Sequence, residues 1–174
     1  MSCQEVLSAA RALQDRIVAW RRDFHKHPEL GFQETRTSGI VAEELERLGL
    51  AVRRRCPRTA VWADLVVPGA KDFLLLRADM DALPVQENSG EPFASVYAGK
   101  AHLCGHDSHV AMLLGAANVL TQLRDRLRTN VRFMFQPSEE ATPGGAEAMI
   151  AEGVLDGVTE ALAIHVFTAQ QAGR

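Results

Sequence analysis

The stretch FLLLRADMDALP, residues 73–84, decides the class of fold. Its first six residues are almost continuously apolar, which is typical of a strand that is covered on both faces of a sheet. Two acidic residues, Asp79 and Asp81, follow at once, and Pro84 ends the run. Acidic side chains at the end of a core strand are costly without partners or solvent. The stretch therefore predicts a buried strand that carries polar groups to its end, with an Asx-type turn as the alternative.

Helical and strand patterns alternate on both sides of this stretch. Ser2 and Glu5 have the spacing of a capping box, so we predict a helix from Ser2 to about residues 24–27, where Pro28 stops it. Further helices are predicted over 34–48, from near 106, and over 144–152; further strands are predicted at 51–56, 60–67, 131–136 and 160–166. Strands that alternate with helices predict a three-layer α/β/α fold with helices on both faces of the sheet.

Composition narrows the functional class. The chain has 174 residues, 47% hydrophobic and 24% charged, with a net charge of −3, so one domain is expected. This charge gives no reason to expect a nucleic-acid or membrane partner. The N-terminal sequence lacks the pattern of a secretory signal, and no run is long enough for a membrane span. Three scattered cysteines, Cys3, Cys56 and Cys104, predict a reducing compartment, the cytoplasm.

The segment HLCGHDSH, residues 102–109, contains three of the six histidines. Cys104 and His106 are two residues apart with Gly105 between them, so both side chains can face one point. A thiolate with an imidazole suits zinc, and histidine with carboxylates also admits manganese, cobalt or nickel. The segment therefore indicates metal ligation. The alternative is a polar helix start in which Cys104 is a small buried residue.

Two more predicted strands end in groups that can bind a metal. Glu139 and Glu140 follow the strand at 131–136, where one glutamate could ligate a metal while the other handles a proton. His165 lies at the end of the apolar run ALAIHV. Taken alone, the glutamates could be solvated and the histidine could be a core residue. Their occurrence together with the histidine-rich segment predicts one acidic, metal-filled cleft.

Four ordered segments extend this interpretation. FHKHPELGFQE, RADMDALPVQE, HLCGHDSHVAMLLGAA and FQPSEEATPGGAEAMI resemble the signature segments of the aminoacylase and hippurate-hydrolase family of the metallopeptidase clan, which includes auxin-conjugate amidohydrolases. The resemblance implies a zinc-aminopeptidase-like catalytic domain with a mixed sheet. It also implies a dinuclear metal amidohydrolase that releases an amino acid from a small N-acyl amino acid.

The resemblance assigns a role to each matching residue. Glu139 would be the general base, acting on a water activated by two divalent ions of manganese, zinc, cobalt or nickel. The implied metal ligands are Cys104, His106, Glu140 and His165. Asp79, Asp81 and Asp107 would orient those ligands.

Family members are much longer than this chain and insert a lid and dimerisation domain after a segment like ALAIHV. We therefore expect residues 1–174 to be the N-terminal portion of a single catalytic domain, with the lid and the C-terminal part absent and the full-length form a homodimer. Two other hypotheses stay open. Cys104 could be a nucleophile paired with His106 or His109, which leaves the glutamates and His165 without a role. The chain could also be a non-catalytic metal-binding fragment or interaction module.

Overall fold

The computed structural model describes residues 2–55, 59–169 and 171. The helices are α1 (Cys3–Ala12), α2 (Gln14–Lys26), α3 (Thr35–Arg47), α4 (His106–Gln122) and α5 (Gly145–Ala151). The strands are β1 (Ala51–Arg55), β2 (Ala60–Leu65), β3 (Phe73–Asp79), β4 (Asn130–Gln136) and β5 (Val158–Ala163), and a 3₁₀ turn covers Arg124–Arg126. In the part of the chain that the structure describes, every helix is too short or too polar to cross a lipid bilayer.

The five strands form one mixed sheet in the order β1-β2-β4-β3-β5. The pairs β1–β2 and β2–β4 are antiparallel, whereas β3 runs parallel to both β4 and β5. Parallel neighbours need a crossover connection. Helix α4 lies in the connection from β3 to β4, and α5 lies in the connection from β4 to β5. The carboxyl ends of β3, β4 and β5 therefore meet at one edge of the sheet.

Helices cover both faces of the sheet, which confirms the predicted three-layer α/β/α fold. On one face α2, α3 and α4 contribute Phe24, Leu45 and Leu114 to a core that includes Phe133 of β4. On the other face α5 places Met149 against apolar residues of β2 and β4. The second layer is thin, because one seven-residue helix and the turn after it cover that face.

The expectations for the first helix and for the strand at 73–78 were wrong. The first helix is interrupted at Leu13, where the backbone N–H turns back to the carbonyls of Ala10 and Arg11 and ends α1. The strand at 73–78 is not covered on both faces: every residue of β4 is buried, whereas β3 is only partly so. The reason is the position of β3 next to β5, whose side chains are largely exposed. Because β5 is thinly covered, β3 beside it is also partly accessible to solvent.

The predicted caps and several boundaries are confirmed. Ser2 and Glu5 form both hydrogen bonds of a capping box at the start of α1. Gly49 has a φ of 74°, the left-handed conformation expected just past the end of α3. The last strand ends at Ala163, so His165 lies two residues beyond it and not within it as predicted. Cys56 lies outside the described residues.

Candidate metal centre

The start of α4 brings two of the predicted ligands to the carboxyl edge of the sheet. Gly105, just before the helix, has a φ of 91°, and a Cβ atom there would lie 2.3 Å from a methyl of Val166. Both the left-handed conformation and the close approach require glycine. This tight junction turns Cys104 and His106 toward the ends of β3 and β5.

His106 lies at the centre of the candidate site. Its Nδ1–H donates to the backbone carbonyl of Asp81 at 2.8 Å, which directs Nε2 into the site. Nε2 is buried and has no hydrogen-bond partner among the described residues. Carboxylate oxygens of Asp79, Glu140 and Glu139 lie 3.7, 3.6 and 3.9 Å from it. A buried nitrogen without a partner is costly, and a cation at this point would satisfy it, so the donor set fits a metal.

The charge on His106 supports the same conclusion. Burial lowers its pKa, but the side-chain carboxylate of Asp81, 3.4 Å from Nδ1, and the negative charge of Asp79 outweigh burial, so its pKa is raised overall. The acidic surroundings thus favour positive charge at this ring. A divalent cation bound at Nε2 would supply that charge in place of the proton.

Cys104, two residues before His106, and His165, which follows β5, both lie close to His106. The Sγ of Cys104 lies 3.4 Å from Nε2 of His165. The ligating atoms of Cys104, His106 and His165 all lie within 4.8 Å of one another, as do those of His106, Glu139 and Glu140. The structure therefore brings together all four predicted ligands and the predicted base around His106. Their roles as ligands and base remain predictions.

Cys104 is poorly suited to act as a nucleophile. Burial and the neighbouring Glu140 carboxylate raise the pKa of its thiol to about 12. A nucleophilic cysteine needs the opposite shift, toward a stable thiolate at neutral pH. A metal-bound thiolate is instead stabilised by the cation itself, so ligation fits this environment better.

The predicted orienting residues divide into two groups. Asp79 accepts hydrogen bonds from Nδ1 of His109 at 2.6 Å and from Arg77 at 2.5 Å. Burial would raise the pKa of Asp79, but the His109 hydrogen bond and the charges of His106 and Arg77 prevail and lower it to about 2. Asp81 holds His106 through its carbonyl and accepts from the backbone N–H of Glu140 at 3.0 Å. Both aspartates therefore touch residues of the centre.

Asp107 points elsewhere. Its carboxylate is fully buried and receives Nδ1–H of His25 at 2.8 Å and Nε–H of Arg21 at 2.9 Å. Both partners belong to α2, so Asp107 fixes the start of α4 to that helix, and its carboxylate forms no hydrogen bond with a predicted ligand among the described residues. His25 also forms a hydrogen bond of 3.1 Å with Glu87, which lies in the connection between β3 and α4. The hydrogen bond to Asp107, and after it the one to Glu87, raise the pKa of His25 despite its burial.

Two residues that support the centre were given no part in it by sequence reasoning. Nε2 of His109 accepts from the backbone N–H of Val166 at 3.0 Å, which anchors the segment that carries His165. His109 follows His106 by three residues on α4, and residues at this spacing lie on the same face of a helix. The sequence alone could therefore have indicated that His109 faces the centre. Glu34 is fully buried and accepts from the Ser138 N–H at 2.9 Å and the Thr59 hydroxyl at 2.7 Å. Burial raises the pKa of Glu34, and no short-range pattern could have shown its partners.

Comparison with known proteins settles the family. Residues 75–173 match the family model described as Peptidase family M20/M25/M40. The chain belongs to this peptidase family. Over all 174 residues it is 42% identical to the N-acyl-L-amino acid amidohydrolase of Geobacillus stearothermophilus, of which it covers 47%. The family resemblance in the sequence is thus confirmed.

Solved structures of the family share the fold. A crystal structure from methicillin-resistant Staphylococcus aureus, described as an aminohydrolase, superposes with a TM-score of 0.94 at 35% identity, covering 98% of this chain and 44% of that one. The YXEP protein of Bacillus subtilis, described as a dinuclear metal binding peptidase from the M20 family, has a TM-score of 0.86 at 39% identity over 90% of this chain and 44% of its own. The chain therefore spans about half the length of the relatives it matches.

Proposed function

We propose that this chain is the N-terminal portion of the catalytic domain of a metal-dependent amidohydrolase that cleaves the amide bond of small N-acyl amino acids. The observation that carries the proposal is the buried Nε2 of His106, which lacks a partner while a thiol, a second imidazole and two glutamates converge on it. The similarity to the N-acyl-L-amino acid amidohydrolase of Geobacillus stearothermophilus supports the substrate class.

The donor set suits two divalent ions. Cys104, His106, Glu140 and His165 would hold them, and the mixture of sulfur, nitrogen and oxygen donors is compatible with zinc, manganese, cobalt or nickel. When bound, such ions polarise an amide carbonyl and make a water molecule more acidic. Asp81 keeps His106 in the tautomer that leaves Nε2 free, because it accepts the Nδ1 proton.

Glu139 is the proposed general base. Its side chain is 41% exposed, and its nearest described charged partner, Nε2 of His106, lies 3.9 Å away, so its carboxylate is open to an incoming water. It would take the proton of that water and pass it to the leaving amine. Proton transfer of this kind contributes about 10²–10⁴-fold to the rate. The adjacent Glu140 is held by its backbone N–H on Asp81 and is less exposed, which fits a ligand.

A non-catalytic metal-binding role is the second candidate, because the chain covers 47% of the length of the Geobacillus amidohydrolase. We further propose a cytoplasmic location, on the scattered cysteines, and a homodimeric full-length form that pairs through a lid domain.

Metal removal tests the proposal. Dialysis of the full-length protein against a strong chelator should abolish hydrolysis of N-acetyl amino acids, and manganese, cobalt or zinc should restore it. The same assay on residues 1–174 after metal loading separates catalysis from metal binding alone. Undiminished turnover in protein shown to be metal-free by elemental analysis would overturn the proposed chemistry.

A further inference from the structure

A cleft of about 410 Å³ opens beside the candidate metal centre. It shares Asp81 and Glu140 with that centre, so whatever occupies it lies next to the reacting groups. Its walls are mainly apolar and come from three loops: Leu30, Phe32, Leu83, Pro84 and Pro143. A volume of this size lies in the range of small-molecule sites, about 300–1,000 Å³.

Backbone strain is concentrated at the same cleft. Among the described residues, Phe32 (φ 60°) and Ser138 (φ 47°) are the non-glycine residues with positive φ, and both line the cleft. Such conformations are disfavoured for side-chain-bearing residues and persist where the surroundings enforce them, often at ligand sites. Gly31 lies against Ser138, since a Cβ at Gly31 would be 2.7 Å from the Ser138 hydroxyl. The buried Glu34 holds the Ser138 N–H.

The strained loop leaves an aromatic ring where a ligand can reach it. Phe32 is 42% exposed even though large apolar side chains are favoured in the core. The loop therefore adopts a disfavoured backbone conformation at Phe32, and this conformation places the aromatic side chain at the wall of the cleft.

The charges of the cleft select one half of the substrate. Its charged lining residues are the acids Asp81 and Glu140, and no lysine, arginine or histidine lines it among the described residues. Glu140 is a proposed metal ligand and Asp81 contacts His106, so both acids belong to the metal centre. The rest of the cleft offers the α-carboxylate of an N-acyl amino acid no cationic side chain, and a buried anion needs a cation or several donors. The acyl group carries no charge. We propose that this cleft binds the acyl group of the substrate and favours apolar acyl groups larger than acetyl.

This inference rests on the proposed amidohydrolase function and is tested separately by binding. Zinc-loaded protein is titrated calorimetrically with N-acetyl-, N-butyryl- and N-hexanoyl-alanine. Each methylene buried in the cleft should lower Kd about fourfold, so that hexanoyl, with four more methylenes, binds about 250-fold more tightly than acetyl. In Phe32→Ala this ratio should fall at least several-fold. Leu155→Ala, which removes a side chain of similar exposure outside the cleft, should leave the ratio unchanged.

A second variant tests the charge argument without removing a wall. Gln33 lines the cleft and is exposed, so Gln33→Lys should fold normally and place a cation there. Wild-type protein should bind N-pentanoyl-alanine more tightly than N-succinyl-alanine, whose acyl group is of similar length but ends in a carboxylate. Gln33→Lys should reduce or reverse that preference.

The outcomes separate the two claims. Absence of saturable binding, a Kd independent of acyl length, or an unchanged length dependence in Phe32→Ala would overturn the acyl-group cleft. Hydrolysis in the full-length protein with no effect of Phe32 would leave the amidohydrolase function standing and this inference wrong. A third outcome is that binding depends on acyl length and Phe32→Ala weakens that dependence, but the full-length protein hydrolyses no N-acyl amino acid. This outcome would support the acyl-group cleft and contradict the proposed function.

Discussion

Replacing Cys104 by serine should change how steeply metal affinity depends on pH. With its pKa raised to about 12, the thiol is protonated throughout the neutral range in the absence of metal. Binding of a cation as a thiolate must then release one whole proton from Cys104, so affinity gains about tenfold for each unit of pH. Between pH 6.5 and pH 8.5 this single group would contribute about a hundredfold. A serine hydroxyl releases no proton in that range.

The measurement is a Co²⁺ titration at several pH values, followed by calorimetry and by the near-ultraviolet sulfur-to-cobalt charge-transfer band. A plot of the logarithm of affinity against pH should be shallower by about one in Cys104→Ser than in wild-type protein. Deprotonation of His106 adds to the slope of both proteins and cancels in the comparison. Cys3→Ser is the matched control, because Cys3 is exposed and lies on α1. Equal slopes in wild type and Cys104→Ser would refute ligation by the thiolate.

Three further outcomes are expected. In the full-length protein, Glu139→Gln should lower kcat by about 10²–10⁴-fold with metal content retained, whereas Glu140→Gln should lower metal content; the opposite pattern would exchange the two roles. Burial would raise the carboxyl pKa of both Asp79 and Glu87. The hydrogen bond from His109 nevertheless lowers the pKa of Asp79 to about 2, and the hydrogen bond from Ser89 lowers that of Glu87 to about 2. A carboxyl group whose pKa is lower in the folded than in the unfolded state stabilises the fold at pH values above its unfolded-state pKa, and this stabilisation is lost as pH falls. The free energy of unfolding measured in urea should therefore decrease from about pH 4.5 to pH 2. Asp79→Asn should make that decrease smaller. Residues 1–174 alone should be inactive toward N-acyl amino acids and should self-associate in sedimentation, because Leu162, Ile164 and Phe167 are 54%, 65% and 66% exposed; a monodisperse chain with enzyme-like turnover would contradict this.

Local patterns in the sequence predicted the elements well because their causes are local. The capping box at Ser2, the left-handed turn at Gly49 and the start of α4 at His106 depend on residues within a few positions. The layer arrangement followed from the alternation of strands and helices. An apolar run does not show which strand will be central, however. FLLLRA predicted the most covered strand, and NVRFMFQ, which contains an arginine and an asparagine, occupies that place.

Arg132 explains why the strand predicted at 131–136 was not recognised as the central one. Its guanidinium is buried, pairs with Asp64 of β2 at 2.7 and 2.9 Å, and donates to the carbonyls of Val154 and Asp156. Asp64, 68 residues away, neutralises this charge, and the carbonyl of Val154, 22 residues away, accepts a hydrogen bond from it. In the sequence alone, an arginine is expected to be exposed. The same limit applies at the candidate site. The sequence could group Asp107 with Asp79 and Asp81, but only the packing of α2 against α4 shows that Asp107 faces the other way.

The donors of the candidate centre lie at the start of α4 and beyond the ends of β4 and β5, so they are far apart in the sequence. The fold brings them together: Phe73 of β3 pairs with Val158 of β5, and Cys104 lies 3.4 Å from His165. An unfolded chain cannot offer these groups at one point, so a metal they hold would bind the folded state selectively. Free metal at about a hundredfold above its Kd would then raise the free energy of unfolding by about 2.7 kcal/mol. The melting temperature of this protein would in that case report the concentration of free metal around it.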